Sequence, residues 1–284
     1  MLNGVMLLWF LLTAAAIIFV AVDIRTTPES PVLKWGFVLL TAYTGPVGAF
    51  LYVLGCREPL SGLHERYVSV RWRQVLGSTM HCVAGDGVGI LAGAAIASLL
   101  TLPYFIDIGL EYVLGFGFGW TIFQALFMRG TSGGSYRRSL ARTVIPEFLS
   151  MNLLMTGMVS IAAIGRALIA ERLSPVTPDF WFVMSMALLT GFAVAFPINW
   201  WLVAKGLKHG MMTVRTGASS EEHHNRIDFA PATGGSRAPG MGASHGHEAG
   251  HGLPPSPGQI AGMAALSVTA FGLAIWFTLA LGGG

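Results

Sequence analysis

Charge is what this chain has least of. Only 11% of its 284 residues are Asp, Glu, Lys or Arg, while 53% are hydrophobic; an ordinary soluble domain carries roughly 25% charged residues. So sparse a set cannot wet the surface of a water-soluble globule, and a mean hydropathy of +0.62 points the same way. Cysteine is almost missing too. The two present, Cys56 and Cys82, exclude a disulfide-stapled scaffold, and their placement predicts no bridge between them. No glycine triplet or heptad repeat runs through the chain, which excludes collagen and coiled coil. The net charge of +3 is small and scattered, so no basic surface for nucleic acid is expected.

What the chain has is long apolar runs. In lipid only helices or closed barrels satisfy every backbone hydrogen bond. Barrel strands would show as segments of about ten residues alternating apolar and polar. The runs here are continuous and long enough to cross a core of roughly 30 Å as helices. The expected fold class is therefore all-α, a polytopic integral membrane helix bundle of about seven transmembrane helices in the lipid bilayer. They are read as Val5–Val22, Trp35–Cys56, Val75–Thr101, Pro103–Met128, Ile145–Ala170, Phe180–Ala204 and Gln259–Leu281. The first run has no Lys or Arg before it and no small-residue cleavage site after it, and reads as a retained helix, not a signal peptide.

Basic residues set the expected orientation. With seven spans, the second, fourth and sixth loops hold thirteen Lys and Arg, and the opposite side only Arg25, Lys34, Arg166 and Arg172. That places the protein in a bacterial inner (plasma) membrane with its N-terminus inside and C-terminus outside. The chain divides into two N-terminal helices with a basic interfacial segment (1–72), a four-helix core (73–210), a loop rich in His, Gly and Pro (211–258) and a C-terminal helix (259–284).

Polar residues inside the spans are the candidates for function. On the third span Cys82, Asp86, Gly89 and Gly93 form one helical stripe, with His81 and Gly85 on its shoulder. The spacing of Gly85, Gly89 and Gly93 is one that lets helices approach closely, and Gly115 and Gly119 answer it on the fourth span. The connector at Leu102-Pro103 is so short that the two spans should form an antiparallel hairpin, with Asp86 level with Gly117–Gly119. A carboxylate facing hydrocarbon costs at least ~2.5–3.5 kcal/mol, so Asp86 is expected to point inward. Asp107, Glu111 and Glu147 complete the candidate intramembrane polar site. Gln124, Asn152, Arg166 and Asn199 are further polar groups, and an ion pair from Arg166 to Glu111 or Asp107 is geometrically allowed. Two readings stay open for the His81/Cys82/Asp86 group: a metal or proton site on a pathway, or a polar lock on helix packing.

His247-Glu248-Ala249-Gly250-His251 is a literal H-E-x-x-H match, but Gly246, Gly250, Gly252 and Pro254 deny it the helix a zinc hydrolase needs. His223, His224, His245, His247 and His251 suit transient binding of a transition metal ion, copper or zinc. A solvated linker is the competing reading.

Two stretches carry a family resemblance. His81-Cys82-Val83-Ala84-Gly85 forms an H-C-x-A-G core. The tail runs from Phe180-Trp181-Phe182 through Gly191-Phe192 to Pro197-Ile198-Asn199-Trp200-Trp201 and Gly206-Leu207-Lys208. With Phe123-Gln124 between them, residues 72–212 resemble the bacterial multipass proteins catalogued as domain of unknown function 4396. The resemblance implies membrane residence and helices, and brings no activity. In the family pattern a second cysteine follows the core, with an aspartate four residues on; Asp86 and Ile90 stand there in this chain. The functional expectation is a membrane protein that handles or translocates a cation or transition metal, more a carrier than an enzyme. The alternatives are a non-catalytic assembly subunit with protein partners and, third, a membrane redox protein.

Overall fold

The computed structural model describes residues 2–57, 63–125, 135–169, 173–208, 210 and 254–282. Among them the regular elements are helical, with no strand: α1 (Leu2–Asp23), α2 (Pro31–Thr44), α3 (Pro46–Gly55), α4 (His64–Val68), α5 (Arg71–Leu99), α6 (Tyr104–Phe118), α7 (Tyr136–Leu168), α8 (Pro178–Ala204) and α9 (Pro257–Gly282). A π-helical turn, Gly119–Gln124, continues α6. Six of these are long and apolar enough to cross a membrane: α1, α5, α6 with its π extension, α7, α8 and α9. The protein is a polytopic all-α bundle.

The second apolar run is not a seventh crossing. It breaks at Gly45, whose φ of +60° and ψ of −140° lie where only glycine sits comfortably. Pro46 then opens α3 at a helix start, where its missing N–H costs nothing. The chain reverses there. Phe37 and Tyr52 pack ring to ring at 5.4 Å, whereas fifteen residues of straight helix would separate them by about 22 Å. Tyr52 Oη reaches back to donate to Asp23 Oδ2 at the end of α1 (2.8 Å), and Arg57 Nε pairs with the same oxygen at 3.0 Å. Thr27 Oγ1 and Tyr52 Oη add a 3.0 Å bond. So α2 and α3 form a re-entrant hairpin that enters and leaves at the Asp23 end. Its tip packs under Trp9 and Thr13 of α1, which a side chain on residue 45 would strike. Beside the tip lies a cavity of about 300 Å³ lined by Trp9, Thr13, Tyr43, Trp181 and Ser185.

This corrects the topology expected from hydropathy alone. With six crossings, the start of α1 and the end of α9 lie at the same end of the bundle instead of at opposite ends. Loops two, four and six stay together, and the connection holding Arg25 and Lys34 joins them. By chain position, all but Arg166 and Arg172 of the seventeen Lys and Arg now belong to that one basic end. Reporters fused to the two chain ends are expected on one face of the membrane and a reporter inserted in 211–253 on the other. A terminal reporter on the same face as that insertion would refute the hairpin.

Two helices begin earlier than the hydrophobic runs do. Ser135 caps α7 by accepting from the Arg138 N–H, so Arg137, Arg138 and Arg142 ride on its first turns instead of in a connector. Likewise α5 starts at Arg71, and of the expected interfacial segment only the short α4 precedes it. There Arg73 lies over the rings of Tyr67 (3.5 Å) and Trp72 (4.5 Å). Helix α5 packs antiparallel on α6, with Gly89 against the backbone of Leu114 and Gly115, and Gly93 against that of Glu111. Helix α9 lies on α7, tied by Asn152 Nδ2 donating to Ser267 Oγ at 3.1 Å.

Candidate functional site

The interior toward the basic end holds a polar centre that four elements build. Helix α5 supplies Cys82 and, one turn on, Asp86. The π turn after α6 changes the register there and swings Gln124 inward. Helix α7 supplies Glu147, directly after the helix-interior Pro146. Helix α8 supplies Asn199, and past its end Gly206, with φ of +69°, turns the chain back so that Lys208 re-enters the bundle. All six side chains are buried.

Their hydrogen bonds converge on Cys82. Gln124 Nε2 donates to Cys82 Sγ at 2.9 Å, and Lys208 Nζ donates to the same sulfur. The thiol itself donates to Glu147 Oε2 at 3.1 Å. Lys208 Nζ also donates to Asn199 Oδ1 (2.9 Å) and stands 3.8 Å from Glu147 Oε2. Asn199 Nδ2 donates onward to Ser150 Oγ at 2.9 Å. These bonds set the ammonium at one side of the centre.

The acids fill the other side. Asp86 has no exposed surface, and neither of its oxygens meets a donor; nor does Glu147 Oε1. The two carboxyl groups lie within hydrogen-bonding reach of each other. Both press on the backbone of Gly119: a Cβ there would overlap Asp86 Oδ1 and lie 3.0 Å from Glu147 Oε1. Tyr112 of α6 is a further electrostatic neighbour of Asp86. One ammonium thus faces two carboxyl groups in a space closed to water. His81, equally buried, sets its ring edge-on to Phe123 at 5.3 Å between centroids.

The other acids form a second group. Asp107 Oδ2 stands 3.8 Å from Arg166 Nη1, and Glu111 is within hydrogen-bonding reach of Asp107. They line a cavity of about 420 Å³ with Ser98, Thr101 and Phe180 at the far end of the bundle. Gly93 packs on the Glu111 backbone, seven residues beyond Asp86 on α5, so the two levels are roughly 10 Å apart. Ile90 and Met151, both fully buried, close against Gly115 between them. The candidate polar residues thus fall into two groups, Cys82, Asp86 and Glu147 in the centre and Asp107 and Glu111 at the far end.

Among the described residues no three His, Cys, Asp or Glu side chains gather as metal ligands. His223, His224, His245, His247 and His251, and with them the H-E-x-x-H match, lie outside the described residues. Sequence reasoning had placed Lys208 in a loop. Its signal was Gly206 just past the last apolar turn of α8, the residue type that lets a helix end by doubling back. The π turn left no comparable mark. Nor did the buried pair at the basic end, His64 Nε2 to Glu29 Oε1 at 2.8 Å.

Six crossing helices around buried acids, with a re-entrant hairpin clasped to their side, define a multipass membrane protein. Residues 71–208, just under half of the chain, match the family model described as "Domain of unknown function (DUF4396)". The match opens on the first residue of α5 and closes on Lys208, so both acid groups lie inside it, while the hairpin and α9 lie outside. No curated protein and no solved structure matches the chain.

Proposed function

We propose that the protein passes a cation across the bilayer through the α5–α6–α7 interior. One observation carries this reading: a fully buried aspartate, beside a second acid, without a donor. A bundle that needs only to hold together has no use for such a group, because an ionisable side chain at membrane depth is costly and is retained chiefly along ion or proton pathways. The second acid group, in a cavity at the far end, supplies a next station on the same seam. Copper or zinc as cargo finds no ligand set among the described residues, and that form of the reading rests on the five histidines of 211–253 alone. A proton or alkali cation needs only the acids.

The charge asymmetry supports an orientation. Basic connections stay in the cytoplasm, so the basic end faces inward in the plasma membrane of a bacterium and both chain ends face outward. The test is flux into proteoliposomes. The wild type should dissipate an imposed cation gradient, and Asp86→Asn, which keeps shape and removes the charge, should fall to the leak of empty vesicles. Equal flux in the two proteins would end the proposal.

A specific observation favours one alternative, an assembly subunit whose centre only locks the helices: Lys208, Cys82, Gln124 and Asn199 satisfy one another. That reading expects no flux in either protein and a changed melting temperature in Asp86→Asn.

A further inference from the structure

Charge counting at the centre says what the cation is. Lys208 contributes one positive charge, and Asp86 and Glu147 would contribute two negative ones, all buried. A net charge left in so dry a place is untenable, and carboxyl groups in contact do not both ionise. The ammonium answers one of them, through Glu147 Oε2. The deficit is a single positive charge, and it must lie where Asp86 Oδ1, Asp86 Oδ2 and Glu147 Oε1 meet no donor. Space decides between carriers. A hard metal ion needs several oxygens around it at more than about 2 Å. Here Asp86 Oδ1 lies against the Gly119 backbone so closely that even a methyl group would overlap it.

We infer that the Asp86–Glu147 pair holds one shared proton as its resident charge, and that Lys208 fixes the number at one. The proton is then the cation that the centre exchanges, an assignment that deepens the reading above and rests on it. The titratable groups that face the pair are Cys82 from α5, Tyr112 from α6 and Lys208 from beyond α8, while His81 on α5 is an electrostatic neighbour of Lys208. Lys208 is a positioning residue. It holds Glu147 through one oxygen, leaves the other for the proton, and sets the charge deficit that the site makes good.

Infrared difference spectroscopy of the full chain in nanodiscs at neutral pH reads the proton directly, through the carbonyl band of a protonated carboxyl group. Asp86→Asn and Glu147→Gln should each remove the same component, since either leaves one acid balanced by Lys208. His81→Gln should leave it intact. In Lys208→Gln the component should roughly double, because two acids then need two protons. Four results would overturn the inference: no such component in the wild type, its loss on titration with sodium chloride at fixed pH, its loss in His81→Gln, or its persistence unchanged in Lys208→Gln. Elution as a single species in detergent identifies variants that have kept their fold. The band is independent of transport. If it is present while the vesicles show no flux, the resident proton stands and only translocation falls.

Discussion

Gly119→Ala is expected to unfold or severely weaken the protein, while Gly117→Ala, two residues away, is expected to be harmless. The contrast comes from what each new methyl group would meet. At 119 it overlaps a buried carboxylate oxygen and crowds a second acid, whereas at 117 nothing lies within 4 Å. Overpacking a well-filled interior typically costs 1–3 kcal/mol. Asp86 is fully buried with its partner acid against the same glycine, so about 3 kcal/mol is the better figure. At 117 alanine brings only its better helix propensity, up to about 1 kcal/mol in its favour. Thermal or SDS unfolding of the two variants in the same detergent separates them. Equal stabilities would mean that the acids do not rest on Gly119.

The second large effect is expected at Lys208. Lys208→Ala leaves Glu147 buried beside an empty position and takes a donor from Cys82 and from Asn199 Oδ1. Removing one partner of a buried ion pair costs about 3–5 kcal/mol, chiefly as the penalty of the charge left behind or of taking up the second proton that neutralises it. If that is the cause, Glu147→Gln in the same chain should recover most of the loss. The coupling between the two substitutions, measured as a double-mutant cycle, should then be a large part of the single-variant cost. Additive losses would show Lys208 to be a packing residue whose charge the centre does not need. A lysine in an ordinary loop would show neither the loss nor the rescue, being within about 0.5 kcal/mol of neutral.

The bundle was legible because its cause is bulk physics: too few charges to face water, and apolar runs of helix-spanning length. The inward turn of Asp86 was legible for a similar reason, since helical spacing put it on the glycine stripe and lipid would not have it. What hydropathy could not see is direction. Residues 35–56 are as apolar as a crossing helix, and only Gly45-Pro46, two residues in twenty-two, reverse them. The limits of α5 and α7 were missed for a related reason. Arg137 and Arg138 are helical behind the Ser135 cap and Arg71 by propensity without one, and all three lie outside the apolar stretch. Glu147 was marked as a candidate without its partners. Its ties to Cys82 and Lys208 span 65 and 61 positions of chain and depend on Gly206 folding the end of α8 inward, which no local pattern states.

A helix that stops within a bilayer ordinarily exposes one pole of its dipole to oil, equivalent to roughly half an elementary charge, and single half-helices use that pole to attract ions. The hairpin at Gly45 presents two poles at once: the negative end of α2 and the positive end of α3, side by side across one residue. They offset each other, and the hydroxyls of Thr41 and Thr44 fold back on the carbonyls of Phe37 (2.8 Å) and Leu40 (2.7 Å), one turn before the tip. With its two poles offset, the tip presents little net charge that could draw ions away from the acids on α5 and α7.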